Sequence, residues 1–196
     1  MAVTLHTGMF PRNVSLELID FGFIQRPGTG AQITRIDRPG SRWRAEIEMP
    51  PMTPQSARIL ENRLLRGQTE TLWLRLPLMS LGAALGDPAV DGAGQTGQNL
   101  ALRGFVPGVT IPEGYLFSII DSAGIAHLHK AAWNAVADST GRATVPIRPM
   151  LRRQFADGTQ CLFTEPVIEG LVTSPPAISM PVNWRVQISF TLEETG

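Results

Sequence analysis

Six residues in the middle of the chain have the glycine spacing of turns that bind dinucleotide cofactors. They read Gly92-Ala93-Gly94-Gln95-Thr96-Gly97. In such turns the backbone approaches a pyrophosphate where a helix begins, so the motif needs a strand before it and a helix that starts inside it. Here Gly-Asp-Pro-Ala-Val-Asp precedes the motif and no βαβ pattern surrounds it. We therefore interpret it as a glycine loop with special backbone geometry, and we expect no cofactor.

Two histidines form the next candidate for chemistry. His127 and His129 lie two positions apart, a spacing that places both side chains on one face of a strand, where they could share a metal ion. Asp121, across a turn, is the nearest acidic candidate for a third ligand. Because a complete ligand set is hard to find, we interpret the histidines as a surface or subunit-contact pair and expect no metal.

Neither a nucleophile nor a carboxylate pair stands out. The chain has no Gly-x-Ser-x-Gly sequence, and its single cysteine, Cys161, lies in a strand-like apolar context that favours a buried, inert thiol. The neighbouring acids Glu46 and Glu48, and likewise Glu193 and Glu194, are expected on exposed faces or in a solvated tail. The sequence therefore predicts that the protein is not an enzyme.

Charge and composition exclude further classes of protein. The 196 residues include 17 Lys and Arg against 17 Asp and Glu, a balance that argues against an electrostatic nucleic-acid footprint or a binder of anionic membranes. The Arg152-Arg153 doublet is accordingly expected to pair with acids within or between subunits. A single cysteine excludes a disulfide scaffold. No stretch approaches the roughly 18 apolar residues of a membrane helix, and we expect a protein made and kept in a reducing compartment.

Glycine and proline punctuate the whole chain. They number 19 and 16, and their even spread predicts many short strands joined by turns. Alternating or apolar runs predict strands at 14–24, 42–49, 69–77, 100–105, 115–120, 126–137, 142–147, 160–163, 167–172 and 182–192. The Gly- and Ala-rich stretch 81–97 is expected to be a loop or the start of a subdomain.

One helix is predicted, over about residues 53–66. Thr53 is a suitable N-cap, Pro54 suits the first helical position, and Gly67 follows as a C-terminal stop. Its apolar stripe would pack on a sheet and consists of Ala57, Leu60, Leu64 and Leu65.

These elements predict a mainly β fold, a β-sandwich or barrel with one packed helix and a small inserted β subdomain. The first domain would comprise residues 1–80 together with 161–196, and the inserted subdomain residues 81–160. A sheet that begins near Val14 could be closed by the final strand, whose one face would carry Trp184, Val186, Ile188 and Phe190.

An ordered series of short motifs resembles tail proteins of tailed bacteriophages, and the resemblance covers about residues 14 to 192. In that group a Trp-bearing strand, a paired proline, a helix ending in Leu-Arg-Gly and a glycine-rich loop occur in this order. The matching stretches are Arg42–Met52, Leu64–Gln68, Val90–Leu100, Arg103–Phe105, Gly114–Ile119 and Asp138–Arg152. The chain departs from the pattern at Glu113, which precedes Gly114, whereas the family usually places an acid after that glycine.

The resemblance implies a structural virion protein similar to distal tail proteins. Such a subunit would form a ring with copies of itself, expected to be a hexamer, and would join the tail tube to the hub or fibres. The protein would be made in the host cytoplasm and reside in the virion tail. The resemblance implies no catalytic residue, and the balanced charge leads us to expect no membrane partner and no sequence-specific nucleic acid. The extended segments Met1–Arg12 and Ser174–Pro181 could become ordered only on assembly.

A second class of function stays open. Small β units with exposed aromatic residues often bind carbohydrates, and Tyr115, Trp133 and Trp184 are candidates for a stacking platform. Packing in the core is the alternative role for each of them. The alternative function is therefore a carbohydrate-binding β module, used as a tail-fibre adaptor or receptor contact.

Overall fold

The computed structural model describes residues 2–5, 9–26, 28, 30–77, 84–174 and 185–195. This part of the chain contains sixteen strands and one helix. The strands are β1 (Val3–Thr4), β2 (Asn13–Ile19), β3 (Phe23–Gln25), β4 (Thr34–Ile36), β5 (Arg42–Glu48), β6 (Leu72–Arg75), β7 (Gly86–Val90), β8 (Gly97–Phe105), β9 (Thr110–Ile111), β10 (Leu116–Ile120), β11 (Ala126–Ala131), β12 (Ala135–Val136), β13 (Ala143–Leu151), β14 (Cys161–Leu162), β15 (Val167–Ser174) and β16 (Ser189–Glu194), and the helix α1 is Pro54–Arg66. The predicted mainly β fold with one helix is confirmed.

Six strands form the first sheet, in the order β1-β6-β15-β16-β5-β2. Alternation explains which side chains it buries: the apolar side of β5 is buried, while the intervening Arg and Glu side chains are at least partly exposed. Val186, Ile188 and Phe190 are buried as predicted, whereas Trp184 lies outside the described residues. The final strand β16 pairs with β15 and β5. It therefore lies inside the sheet that also contains β2, the strand that begins near Val14.

The helix has the predicted ends. Thr53 Oγ1 accepts a hydrogen bond from Ser56 N at 3.3 Å, and Gly67 N donates to Arg63 O at 2.8 Å. Ala57, Leu60 and Leu64 are buried in the core of the first sheet, but Leu65 is half-exposed and does not belong to the stripe. The backbone of Gly67 is ordinary, with φ −63°. Glycine is required at this position because a larger residue would clash: its Cβ would lie 2.8 Å from Val172 Cγ2.

The second sheet has the order β14-β10-β11-β13-β8-β7 and its own apolar core. Two short strand pairs, β9 with β12 and β3 with β4, complete the strands of the described ranges. Leu128 of β11 belongs to the core of the first sheet, so the two sheets meet along this strand. All strands of the second sheet come from residues 86–162. The division into two domains at residues 81 and 160 stays a prediction.

Two predicted segments differ from the structure, and a third is refined by it. The predicted strand 14–24 is broken, because Asp20 Oδ1 accepts a hydrogen bond from Gly22 N at 2.9 Å and turns the chain between β2 and β3. The stretch 81–97, predicted to be a loop or the start of a subdomain, contains β7, the first strand of the second sheet along the chain, which pairs with β8. The predicted strand 126–137 is divided between β11 and β12, which lie in different sheets. No helix of the described residues is long and apolar enough to cross a membrane.

Candidate functional site

The glycine loop lies between the antiparallel strands β7 and β8. Gly92, Gly94 and Gly97 have φ values of 93°, 75° and 86°, in the left-handed region that favours glycine. The Gln95 side chain fills the loop: its Nε2 donates to Asp91 O at 2.9 Å and to Ala101 O at 3.0 Å, and its Oε1 accepts from Ala101 N at 2.7 Å. The special backbone geometry is confirmed, and a strand follows the motif where a dinucleotide turn would have a helix.

An ion pair holds this loop from outside. Arg103 Nη1 and Nη2 lie 2.6 and 3.0 Å from the two carboxylate oxygens of Asp157, and Gly92 N donates to Asp157 Oδ1 at 2.8 Å. The Arg103 guanidinium, together with the Gly92 N–H, lowers the pKa of Asp157 to about 2. The loop is thus stabilised by contacts within the chain, which is the arrangement of a structural turn.

The two histidines share one face of β11, as predicted, but the expectation that they lie on the surface is wrong. Both are buried, because their face of β11 packs against the core of the second sheet: the His127 ring lies 5.4 Å from Phe155, and the His129 ring lies 6.0 Å from Phe117. His127 Nε2 lies 3.3 Å from Asp121 Oδ2, and His129 Nδ1 lies 3.1 Å from Pro149 O. Burial lowers the pKa of His127, and lowers that of His129 to about 3. Both imidazoles are therefore neutral at pH 7.

His127 and Asp121 belong to no group of metal ligands in the described ranges. The second contact of Asp121 Oδ2 is a cation, Arg153 Nη1 at 2.5 Å. Among the residues that the structure describes, no group of three or more His, Cys, Asp or Glu side chains is placed to hold a metal ion. Cys161 is buried as predicted, and burial raises the pKa of its thiol to about 12, which leaves it protonated.

The expectation of a solvated tail is wrong for Glu194. Its side chain is buried, with Oε2 accepting from Trp43 N at 2.8 Å and Oε1 accepting from Leu128 N at 2.8 Å. Arg152 Nη2 lies 3.1 Å from Oε2. Desolvation raises the pKa of this carboxyl, and the Arg152 charge opposes that shift. A sequence signal existed: Glu194 continues the alternation of Phe190 and Leu192, both of which point into the core.

The other predicted pairings are within the chain. Arg152 pairs with Glu194, and Arg153 with Asp121, so the arginine doublet is neutralised as expected. Glu193 is half-buried and lies 2.8 Å from Arg42 Nη2 and 3.2 Å from Arg44 Nη2.

The candidate stacking residues fall into different environments. Tyr115 donates from its hydroxyl to Phe163 O at 3.0 Å and stacks on the Phe163 ring with an interplanar angle of 12°. It packs against the core, and burial raises the pKa of its hydroxyl. Trp133 is 66% exposed. Trp184 lies outside the described residues.

Sequence analysis missed a projecting apolar hairpin, which we define as β3, β4 and the adjacent Phe21 and Ile33. Its two strands pair only with each other among the described residues. Five of its large apolar side chains are between 45% and 60% exposed, namely Phe21, Phe23, Ile24, Ile33 and Ile36. Exposed large apolar side chains gathered on one hairpin favour an interaction surface. The sequence analysis did not identify the hairpin because the apolar pattern of residues 14–24 was interpreted as one strand.

The base of the apolar hairpin is tied to the rest of the protein by charged side chains. Arg35 bridges Asp20 at 2.7 Å and Asp37 at 2.6 Å. Asp37 in turn accepts a hydrogen bond from Gln98 Nε2 at 2.8 Å, which connects the hairpin to the second sheet. The hairpin is thus held at its base while its apolar side chains remain partly exposed.

No protein-family model matches the chain, and no curated protein is found similar to it.

Proposed function

We propose that this protein is a structural subunit that associates with copies of itself through the apolar hairpin. The observation that carries the proposal is the exposure of five large apolar side chains on an element whose strands pair with each other alone in the described chain. Burying the exposed half of five such side chains would contribute roughly 4–7 kcal/mol before the costs of association. Phe23 and Ile36 are directly paired across the hairpin, so their side chains lie together on one face and would be buried together in the contact.

We place this subunit in the tail of a tailed bacteriophage, as a distal ring that joins the tail tube to the hub or fibres. The order of motifs from Arg42 to Arg152 supports this placement. A protruding element that docks on a different surface of the next copy is also the heterologous contact from which a ring is built. Partners would be other copies of the chain and the neighbouring tail proteins.

The self-association is tested with a double variant at the Phe23–Ile36 pair of the hairpin. Phe23→Ser combined with Ile36→Ser removes apolar area without touching a buried residue. We expect light scattering to show an oligomer for the native chain and a monomer for the double variant at the same concentration. Val136→Ser, a change at another exposed apolar residue on β12, serves as the matched control. An unchanged mass in the double variant would refute the hairpin as the contact.

The virion placement is tested separately. Antibodies against the protein, applied to phage particles from a lysate of the host that carries the gene, are expected to label the end of the tail away from the capsid. Label that stays in the soluble fraction, with particles unlabelled, would contradict a tail protein while leaving self-association standing.

Trp133 favours a second candidate function, a carbohydrate-binding module. Its indole is 66% exposed, and the neighbouring Asn134 is fixed by accepting a hydrogen bond from Glu113 N at 2.7 Å. An exposed indole beside a fixed amide is a platform on which a sugar ring could stack. A glycan array should then give binding that Trp133→Ala abolishes, and an array without any binding would remove this candidate.

A further inference from the structure

Three arginines meet at a surface cavity of about 500 Å³. Arg42 begins β5, whereas Arg152 and Arg153 directly follow β13, so the cavity lies where the two sheets meet. Its lining residues are Pro39, Gly40, Arg42, Arg152, Arg153 and Thr195. The cavity borders the apolar hairpin at Phe21, because the Arg42 guanidinium lies 5.3 Å from the centre of the Phe21 ring.

Arg152 lies at the floor of this cavity with unused hydrogen-bond donors. Its side chain is only 8% exposed, and none of its guanidinium nitrogens has a hydrogen-bond partner among the described residues. Nη2 lies 3.1 Å from Glu194 Oε2 but is not aligned with it for a hydrogen bond. The two oxygens of Glu194 accept from Trp43 N and Leu128 N, and in the described part of the chain the guanidinium keeps donors that have no acceptor. Buried donors without acceptors are costly.

The two arginines at the walls are accessible and only partly engaged. The side chains of Arg42 and Arg153 are 35% and 47% exposed. Arg153 uses Nη1 in its ion pair with Asp121, and Arg42 shares the carboxylate of Glu193 with Arg44. A guanidinium has five N–H donors in a planar fork, so each retains donors after these contacts.

We propose that this cavity is an oxyanion site that binds a carboxylate or phosphate group between Arg42, Arg153 and Arg152. The planar forks of Arg42 and Arg153 suit two-oxygen contacts to such a group. Arg152, just beneath the cavity surface, adds a positive charge in a setting of low dielectric, where its attraction is strong. The group is borne either by a free small anion or by an acidic side chain of a neighbouring subunit. The site does not depend on the proposed ring.

The probe is inorganic phosphate, titrated calorimetrically into the full chain in a phosphate-free buffer of low salt. We expect Arg42→Gln and Arg153→Gln each to weaken binding about tenfold or more, because a hydrogen bond to a charged group is lost. Both residues are partly exposed, so these variants are expected to fold. Arg58→Gln, at an exposed arginine of α1, should bind as the native chain does.

Light scattering of the same samples identifies the source of the anion. If a neighbouring subunit supplies a carboxylate, the mass of the oligomer will fall when phosphate is added. It will also be lower in the Arg42→Gln and Arg153→Gln variants. If the anion is free in solution, the mass will not change and phosphate will bind only to the native and Arg58→Gln proteins. The proposal is overturned if phosphate binds equally to all four proteins, or if it binds to none and the Arg42 and Arg153 variants leave the mass unchanged.

Discussion

Glu194 Oε1 accepts a hydrogen bond from Leu128 N at 2.8 Å and so joins β16 of the first sheet to β11 of the second sheet. The contact exists because β11 pairs with β13 only at Lys130 and Ala131. Further back along β11, the N–H groups of Ala126 and Leu128 have carboxylate acceptors instead, from Glu169 and Glu194. Two buried acids thus take the place of a neighbouring strand.

Glu194→Ala should strongly destabilise the protein. The change leaves Trp43 N and Leu128 N without acceptors and Arg152 without its ion pair, and breaking a buried pair costs about 3–5 kcal/mol. Urea unfolding measures the loss. Glu70→Ala, which removes an exposed pair with Arg66 at the end of the helix, should cost far less, because solvent screens this pair. Equal losses in the two variants would show that Glu194 does not hold the sheets together.

Protonation of His129 should make the protein less stable in mild acid. Its pKa is about 3 in the folded protein and about 6.5 in the unfolded chain, so below pH 6.5 the unfolded state binds the proton and the folded state does not. Stability is therefore complete above pH 6.5 and falls toward pH 3, by about 1.4 kcal/mol per pH unit for this group.

The measurement is urea unfolding at pH 7, 6 and 5. His129→Asn keeps a donor for Pro149 O but cannot titrate, so its stability should fall less steeply with pH than that of the native chain. Parallel curves for the two proteins would contradict a neutral buried histidine.

Gly67→Ala should destabilise the protein through a clash and not through backbone strain. The new methyl group would lie 2.8 Å from Val172 Cγ2, and overpacking of this kind costs about 1–3 kcal/mol. Thermal unfolding of Gly67→Ala, Val172→Ala and the double variant forms a mutant cycle. We expect the double variant to be more stable than the sum of the single losses predicts, and strictly additive losses would rule out the clash.

Local features of the fold were predictable from the sequence. The helix from Pro54 was identified by its cap and stop residues, and the buried face of β5 by its alternation, because each depends on neighbours only a few residues away. The histidines of β11 were misplaced for the opposite reason. That strand is covered on both faces by elements distant in sequence, so the residues themselves gave no sign of which sheet would cover them.

Two features that the sequence analysis did not predict could have been predicted from the sequence. Glu194 stands in step with Phe190 and Leu192, and the alternation alone placed it inside. Asp20 and Gly22 interrupt the apolar run 14–24, and an Asx turn at that point would have separated the apolar hairpin from β2. The cavity lined by Arg42, Arg152 and Arg153 could not be predicted from the sequence, because its residues lie more than one hundred positions apart in the chain.

The proposed association of this chain into a closed ring can be measured in solution. The measurement is light scattering of the purified protein over a concentration series, followed by negative-stain imaging. We expect a particle with a mass near six times the 21.3 kDa of one subunit and rings in the images. A strict monomer at every concentration, including the highest that stays in solution, would contradict it.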